Sequence, residues 1–157
     1  NDMAVSASGG IGINQTTSVF IAGNKIQDTG RSAIAGAIAD GITCYHNQMG
    51  TTDRNIWILE NTIWNSRNHG IHVSGYGFHI KRNKIYNSGL QTGGSNISVA
   101  DHKTPKDCSG NIEIMDNNLS SCPANNGKSI NRDHYTNPFI ISGNTGCNQV
   151  FSGSTCN

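Results

Sequence analysis

Between Asn55 and Ser88 the chain writes one short pattern twice: an apolar residue, a spacer, Ile, two spacers, Asn, a spacer and Ile. The copies are Ile56/Ile58/Asn61/Ile63 and Phe78/Ile80/Asn83/Ile85, and their asparagines stand 22 residues apart. Three further copies flank them: Val19/Ile21/Asn24/Ile26, Ile112/Ile114/Asn117/Leu119 and Phe139/Ile141/Asn144/Gly146, the last without its final apolar residue. A pattern recurring at this length marks a solenoid, in which each unit buries its apolar face only by stacking on the next.

Within a copy the apolar residues alternate with period two, so each copy is a short strand with one buried face. The Asn breaks that alternation. Its side chain bonds nearby backbone and tolerates the left-handed region, which suits a corner after which a second short strand leaves in a new direction. Stacked about 4.8 Å apart, such corners would form an asparagine ladder. A second column supports coils: Gly10-Ile11-Gly12-Ile13, Gly41-Ile42-Thr43-Cys44 and Gly70-Ile71-His72-Val73, with Asn96-Ile97-Ser98-Val99 and a weaker Ser129-Ile130-Asn131-Arg132. Each coil thus carries at least two strand faces. The ladder spacings of 37, 22, 34 and 27 residues show which coils hold insertions. The expected fold is all-β, a single parallel β-helix domain of about six coils over residues 1–157.

Charged residues make up 13% of the chain, and 21 Asn and 19 Gly stand in their place. Soluble domains average about 25% charged, so the surface is a neutral polar one. A net charge of +1 gives no field for nucleic acid, which needs clustered Lys and Arg. No apolar run approaches the ~20 residues that span a bilayer. Cys44 falls on an inward position, where a free thiol packs as a small hydrophobe. Two bridges, Cys108–Cys122 and Cys147–Cys156, would suit an oxidising, extracellular setting; five reduced thiols are the alternative, because connectivity does not follow from sequence. Residues 31–40 form the one helix-prone insertion, around Ile34, Ala37 and Ile38, with an extra strand as the other reading. The chain opens on Asn, and no amphipathic cap precedes Val19. The first coil is therefore expected to be covered by a partner chain, as in a homotrimer, or to continue a longer β-helix.

Two columns hold the candidate chemistry. In the first strand the outward positions are Phe20, Trp57, His79, Glu113 and Ile140, a stack expected to serve sugar rings or to lie under another chain. Trp64 and Tyr76 join the expected substrate-binding set. In the second column the outward positions are Thr43, His72, Ser98 and Asn131, with Tyr45, His46, Asp101, His102, Lys103, Arg132, Asp133, His134 and Tyr135 beside them. Carboxylate and histidine together make a tuned general base, and Lys or Arg beside them offsets a developing enolate. Asp101, Asp107, Asp116 and Asp133 are the oxygen ligands available to Ca²⁺, the one cofactor considered. The histidines lack the close, same-face spacing that zinc requires.

With its repeated strands, Asn corners and Gly-Ile-x-Val triplets, the stretch from Val19 to Asn148 resembles the right-handed parallel β-helices of the pectin-lyase-like superfamily. That superfamily includes polysaccharide lyases, polygalacturonase-like hydrolases, alginate epimerases and phage tailspikes. Gly70-Ile-His-Val-Ser-Gly75 is similar to a polygalacturonase segment, whereas the Asn-Thr-Asp, Asp-Asp and Asp-Pro-His-Asp motifs of hydrolases and epimerases are missing. The resemblance implies a secreted protein acting on an extracellular acidic polysaccharide by β-elimination. His72 or His102 would be the base, oriented by Asp101 or Asp133. Lys103 or Arg132 would face the enolate, and Tyr45 or Tyr135 would protonate the leaving oxygen. Hydrolysis or epimerisation on the same fold, and a non-catalytic solenoid holding glycans through Phe20, Trp57 and Trp64, are the alternatives.

Overall fold

A computed structural model of the chain describes residues 2–6, 9–14, 16–30, 39–45, 54–90, 94–99, 109–120, 129–133, 138–147 and 150–153. Among these the chain forms strands and turns only. In order they are β1 (Asp2–Ser6), β2 (Ile11–Asn14), β3 (Val19–Ala22), β4 (Lys25–Thr29), β5 (Ile42–Tyr45), β6 (Ile56–Leu59), β7 (Thr62–Trp64), β8 (Ile71–Ser74), β9 (Tyr76–Lys81), β10 (Lys84–Tyr86), β11 (Ile97–Val99), β12 (Gly110–Met115), β13 (Asn118–Leu119), β14 (Ile130–Arg132), β15 (Phe139–Ser142), β16 (Thr145–Gly146) and β17 (Val150–Ser152). Every third strand joins the same sheet. Sheet A runs β1-β4-β7-β10-β13-β16, sheet B β2-β5-β8-β11-β14-β17 and sheet C β3-β6-β9-β12-β15. All pairings are parallel. This is a parallel β-helix, with three sheets where the sequence established at least two strand faces per coil.

The repeated apolar positions become columns. Ile56, Phe78 and Ile112 stack in one, Ile21, Ile58, Ile80 and Ile114 in the next, and Ile26, Ile63, Ile85 and Leu119 in sheet A. These side chains are almost wholly buried, and burying each stabilises by roughly 2 kcal/mol. Gly146 ends the sheet A column opposite Leu119, which accounts for the missing apolar residue of the fifth copy.

The five asparagines form one line of hydrogen bonds. The backbone N–H and Nδ2 of Asn24 both donate to Asn61 Oδ1, at 3.0 and 2.9 Å. Asn61 donates likewise to Asn83, Asn83 to Asn117 and Asn117 to Asn144, all at 2.9–3.0 Å. The left-handed residue of the corner is not the Asn. It is the one before it: Gly23, Glu60, Arg82, Asp116 and Gly143 have φ of 66°, 55°, 55°, 56° and 65°. The Asn amide is thereby turned inward as an acceptor for its neighbour, while an unremarkable residue takes the strain.

The glycine column has a steric cause. A methyl group at Gly70 would stand 2.5 Å from Ile85 Cγ2 and 2.6 Å from the Asn96 carbonyl oxygen, and Gly41 meets Ile63 and Gly70 in the same way. Cys44 is free and buried, and burial pushes its thiol up to about 12. Cys147 is disulfide-bonded. Cys108, Cys122 and Cys156 lie outside the described residues, as do residues 31–38 of the insertion expected at 31–40.

Candidate functional site

Three outward surfaces follow from the three sheets. On sheet B the expected outward column is in register, Thr43 pairing His72, His72 pairing Ser98 and Ser98 pairing Asn131. It does not face an open groove. Thr43, His72 and Ser98 are buried, and β8 is buried on both faces. His72 is therefore corrected from a groove residue to an interior one.

What holds His72 there is a residue the sequence reading passed over. Asp40 is fully buried and accepts four hydrogen bonds: on Oδ1 from Asn68 Nδ2 and the His69 N–H, both at 2.9 Å, and on Oδ2 from Thr43 Oγ1 at 3.0 Å and His72 Nδ1 at 3.2 Å. Burial pushes its carboxyl up, but the His72 hydrogen bond and the adjacent imidazoles outweigh it, leaving it below the ordinary carboxylate range. His69 meets His72 edge to face at 4.6 Å, and ligand atoms of Asp40, His69 and His72 lie within 4.8 Å of one another. The expectation that no histidines come close on one face is thus corrected.

The donor set nevertheless fits a cation poorly. The Ser95 backbone N–H donates to His69 Nδ1 at 3.1 Å, so the neutral ring carries its proton on Nε2. The four lone-pair sites of the Asp40 carboxylate are already taken. Asp40, His69 and Ser95 are equivalent corner residues of successive coils, because the N–H groups that follow them, of Gly41 and Gly70, donate to His69 O and Ser95 O. The cluster is a second corner ladder.

Arg132 shares the column of Val73 and Val99, which is the core column. Its guanidinium carbon lies 5.6 Å from the centroid of the Phe139 ring. It closes the core rather than facing a substrate, because residues two apart on a strand share a face. Asp133 follows it, and its N–H donates to Val99 O at 2.9 Å. Asp101, His102, Lys103, His134, Tyr135, His46 and Asp107, and the side chain of Tyr45, lie outside the described residues.

Sheet C carries the aromatic column in the expected register: Phe20, Trp57, His79, Glu113 and Ile140. The rings stack on one another. Phe20 and Trp57 are 5.9 Å apart at 3°, and Trp57 and His79 are 3.9 Å apart at 19°. Phe20, at the sheet edge, is 66% exposed. Below the rings, His79 Nδ1 lies 2.7 Å from Glu113 Oε2. Lys81 Nζ pairs with the same oxygen at 2.5 Å and sits 5.4 Å from the Trp57 centroid. The hydrogen bond from Lys81, then that from His79, hold the Glu113 carboxyl below its usual range.

The carboxylate can only accept, so His79 donates through Nδ1 and presents Nε2 as the basic nitrogen. The His79 and Lys81 side chains are 18% and 20% exposed, within reach of solvent. The geometry sought on sheet B, a histidine oriented by a carboxylate beside a cation, is assembled on sheet C. The column placed His79 and Glu113 together in the sequence; Lys81, two residues on from His79, was the signal overlooked. Tyr76 opens β9, half-buried, and its carbonyl accepts the Arg54 N–H at 3.1 Å.

On sheet A, Trp64 stacks on Tyr86 at 5.8 Å and 3°, with Lys84 Nζ 5.4 Å from the Tyr86 centroid. No family model, curated protein or solved structure matches the chain.

Proposed function

We propose that the protein acts on a uronate-containing polysaccharide outside the cell, cleaving it by β-elimination on the outer face of sheet C. The observation that carries this reading is the partly exposed His79–Glu113–Lys81 cluster beside Trp57. His79 Nε2 takes the proton α to the uronate carboxylate, and Lys81 offsets the charge that builds on the carboxylate side. The electron pair of the broken C–H bond forms the new C=C bond. The glycosidic C–O bond breaks, and its oxygen leaves with the bonding pair and receives the proton from the imidazolium. No oxidant or water is consumed. Glu113 keeps Nδ1 protonated and the ring in place, while Trp57 packs flat against the imidazole.

The test is a panel of uronate polymers with the formation of unsaturated product followed by its ultraviolet absorbance. General-base catalysis contributes about 10²–10⁴ in rate, so His79→Gln is expected to lose at least about a hundredfold. Product formation at the wild-type rate in His79→Gln, or no product from any polymer, refutes the assignment. A chelator arm tests Ca²⁺: activity lost on chelation moves the site towards Asp116 and Asp133. A second reading, glycan holding without cleavage, is favoured by the exposed Phe20 at the end of the ring stack; binding on a glycan array with no product formed selects it. That same edge, β3, is the surface a homotrimer partner or another chain would cover.

A further inference from the structure

A groove of about 470 Å³ opens at the corner between sheets A and B, and nothing in the sheet C chemistry uses it. This volume falls within the ~300–1,000 Å³ range of small-molecule sites. One wall is a line of corner side chains on three successive coils: Asn87 Nδ2 donates to Asn65 Oδ1, and Asn65 Nδ2 donates to Asp28 Oδ1 at 3.0 Å. All three residues are left-handed, with φ of 54°, 57° and 49° for Asp28, Asn65 and Asn87, so their side chains are presented by a fixed backbone. Arg67 lines the same groove. Its backbone N–H is taken by Thr29 O at 3.1 Å, and its guanidinium makes no ion pair or hydrogen bond among the described residues, although Asp28 lines the same groove. The exposed Leu90 completes the lining.

We infer that this groove is a second, non-catalytic binding site for a carboxylate-bearing sugar. A guanidinium without an acceptor matches a carboxylate in a two-pronged hydrogen bond. The planar amides and the Asp28 carboxylate match sugar hydroxyls, which both donate and accept. Leu90 offers an apolar patch to a ring face. A simple anion would satisfy Arg67 but would set its charge near Asp28, whereas a uronate separates its one charge from its neutral hydroxyls. The groove lies at the opposite end of the sheet A strands from the asparagine ladder, whereas sheet C lies beyond that ladder. One polymer chain held here therefore leaves sheet C open, and two weak sites on a rigid rod raise the avidity for a long polymer. The inference holds whether or not His79 is a base.

The experiment uses the full chain and methyl galacturonoside, which carries a free hydroxyl in place of a glycosidic bond at C4 and so reports binding alone. Proton–nitrogen NMR titration follows the side-chain amides of Asn65 and Asn87. The uronoside is expected to shift both, neutral methyl galactoside to bind at least about tenfold more weakly, and Arg67→Gln to weaken the uronoside by about ten- to a hundredfold, as for hydrogen bonds to charged groups. Asn87→Gly, which keeps the left-handed backbone accessible, is expected to weaken binding while leaving the fold intact. Unchanged Kd in His79→Gln supports a separate site. Four results overturn the inference: equal binding in Arg67→Gln, equal binding of the neutral sugar, displacement of the uronoside by acetate at equal concentration, or loss of the shifts in His79→Gln.

Discussion

Truncating Asn83 to alanine tests the ladder at its centre. Asn83 is 1% exposed and engages five hydrogen bonds through its side chain: Nδ2 donates to Ile58 O at 2.8 Å, Lys81 O at 3.2 Å and Asn117 Oδ1 at 3.0 Å, and Oδ1 accepts the N–H and Nδ2 of Asn61, both at 3.0 Å. In the variant Asn61 keeps its Nδ2 bond to Ile21 O, but its backbone N–H is left buried without an acceptor. An orphaned buried donor costs about 1–3 kcal/mol and each of the four other bonds lost about 1 kcal/mol, so Asn83→Ala should cost about 5–7 kcal/mol. Asn144 is the control. It accepts from Asn117 in the same way, but it is only partly buried, so water can replace it and the cost falls to about 1–2 kcal/mol. Urea unfolding followed by far-ultraviolet circular dichroism measures both; with a slope of about 2 kcal/mol/M, the Asn83→Ala midpoint should fall by about 3 M. A cost below about 1 kcal/mol for Asn83→Ala, or an equal cost for Asn144→Ala, would show that the ladder is not what fixes the corners.

Two further predictions use the same structure. Gly70→Ala must push its methyl into Ile85 and the Asn96 carbonyl, whereas a methyl at Gly12 meets nothing within 4 Å; Gly70→Ala should cost about 1–3 kcal/mol, as overpacking does, and Gly12→Ala should leave the melting temperature unchanged. The folded Glu113 carboxyl is held below its unfolded value, with Lys81 as the first cause. Its contribution is therefore present above the unfolded pKa of about 4.3 and is lost as pH falls through the folded value. Glu113→Gln should flatten this acid limb in melting curves recorded from pH 7 down to about pH 3.

The corners and core columns were legible in the sequence because each rests on a residue type that stacks on its own kind: Asn24 to Asn144 on one line, Ile58 over Ile80, Gly41 over Gly70. The left-handed position escaped notice because its occupants, Gly23, Glu60, Arg82, Asp116 and Gly143, share a backbone angle and not a side chain. The alternation that set Thr43, His72 and Ser98 apart from the core columns of Ile42, Cys44, Ile71 and Val73 agrees with the core. It carries no information about what covers a face, so the burial of His72 could not be read from it. Asp40 and His69 were missed for a related reason. They meet because their coils are stacked, 29 residues apart in the chain, and neither belongs to a strand whose period would have flagged it. On sheet C the column put His79 beside Glu113 in the right register, but it gave no sign of Lys81, whose ammonium reaches the same carboxylate oxygen.

Among the described residues each strand pairs only with its equivalents one coil before and one coil after. Pulled by its two ends, such a rod bears the load on one coil-to-coil seam at a time. Coils should peel away singly under force, each releasing the 22 to 37 residues between one ladder asparagine and the next, so the slack gained per rupture would report which winding had let go.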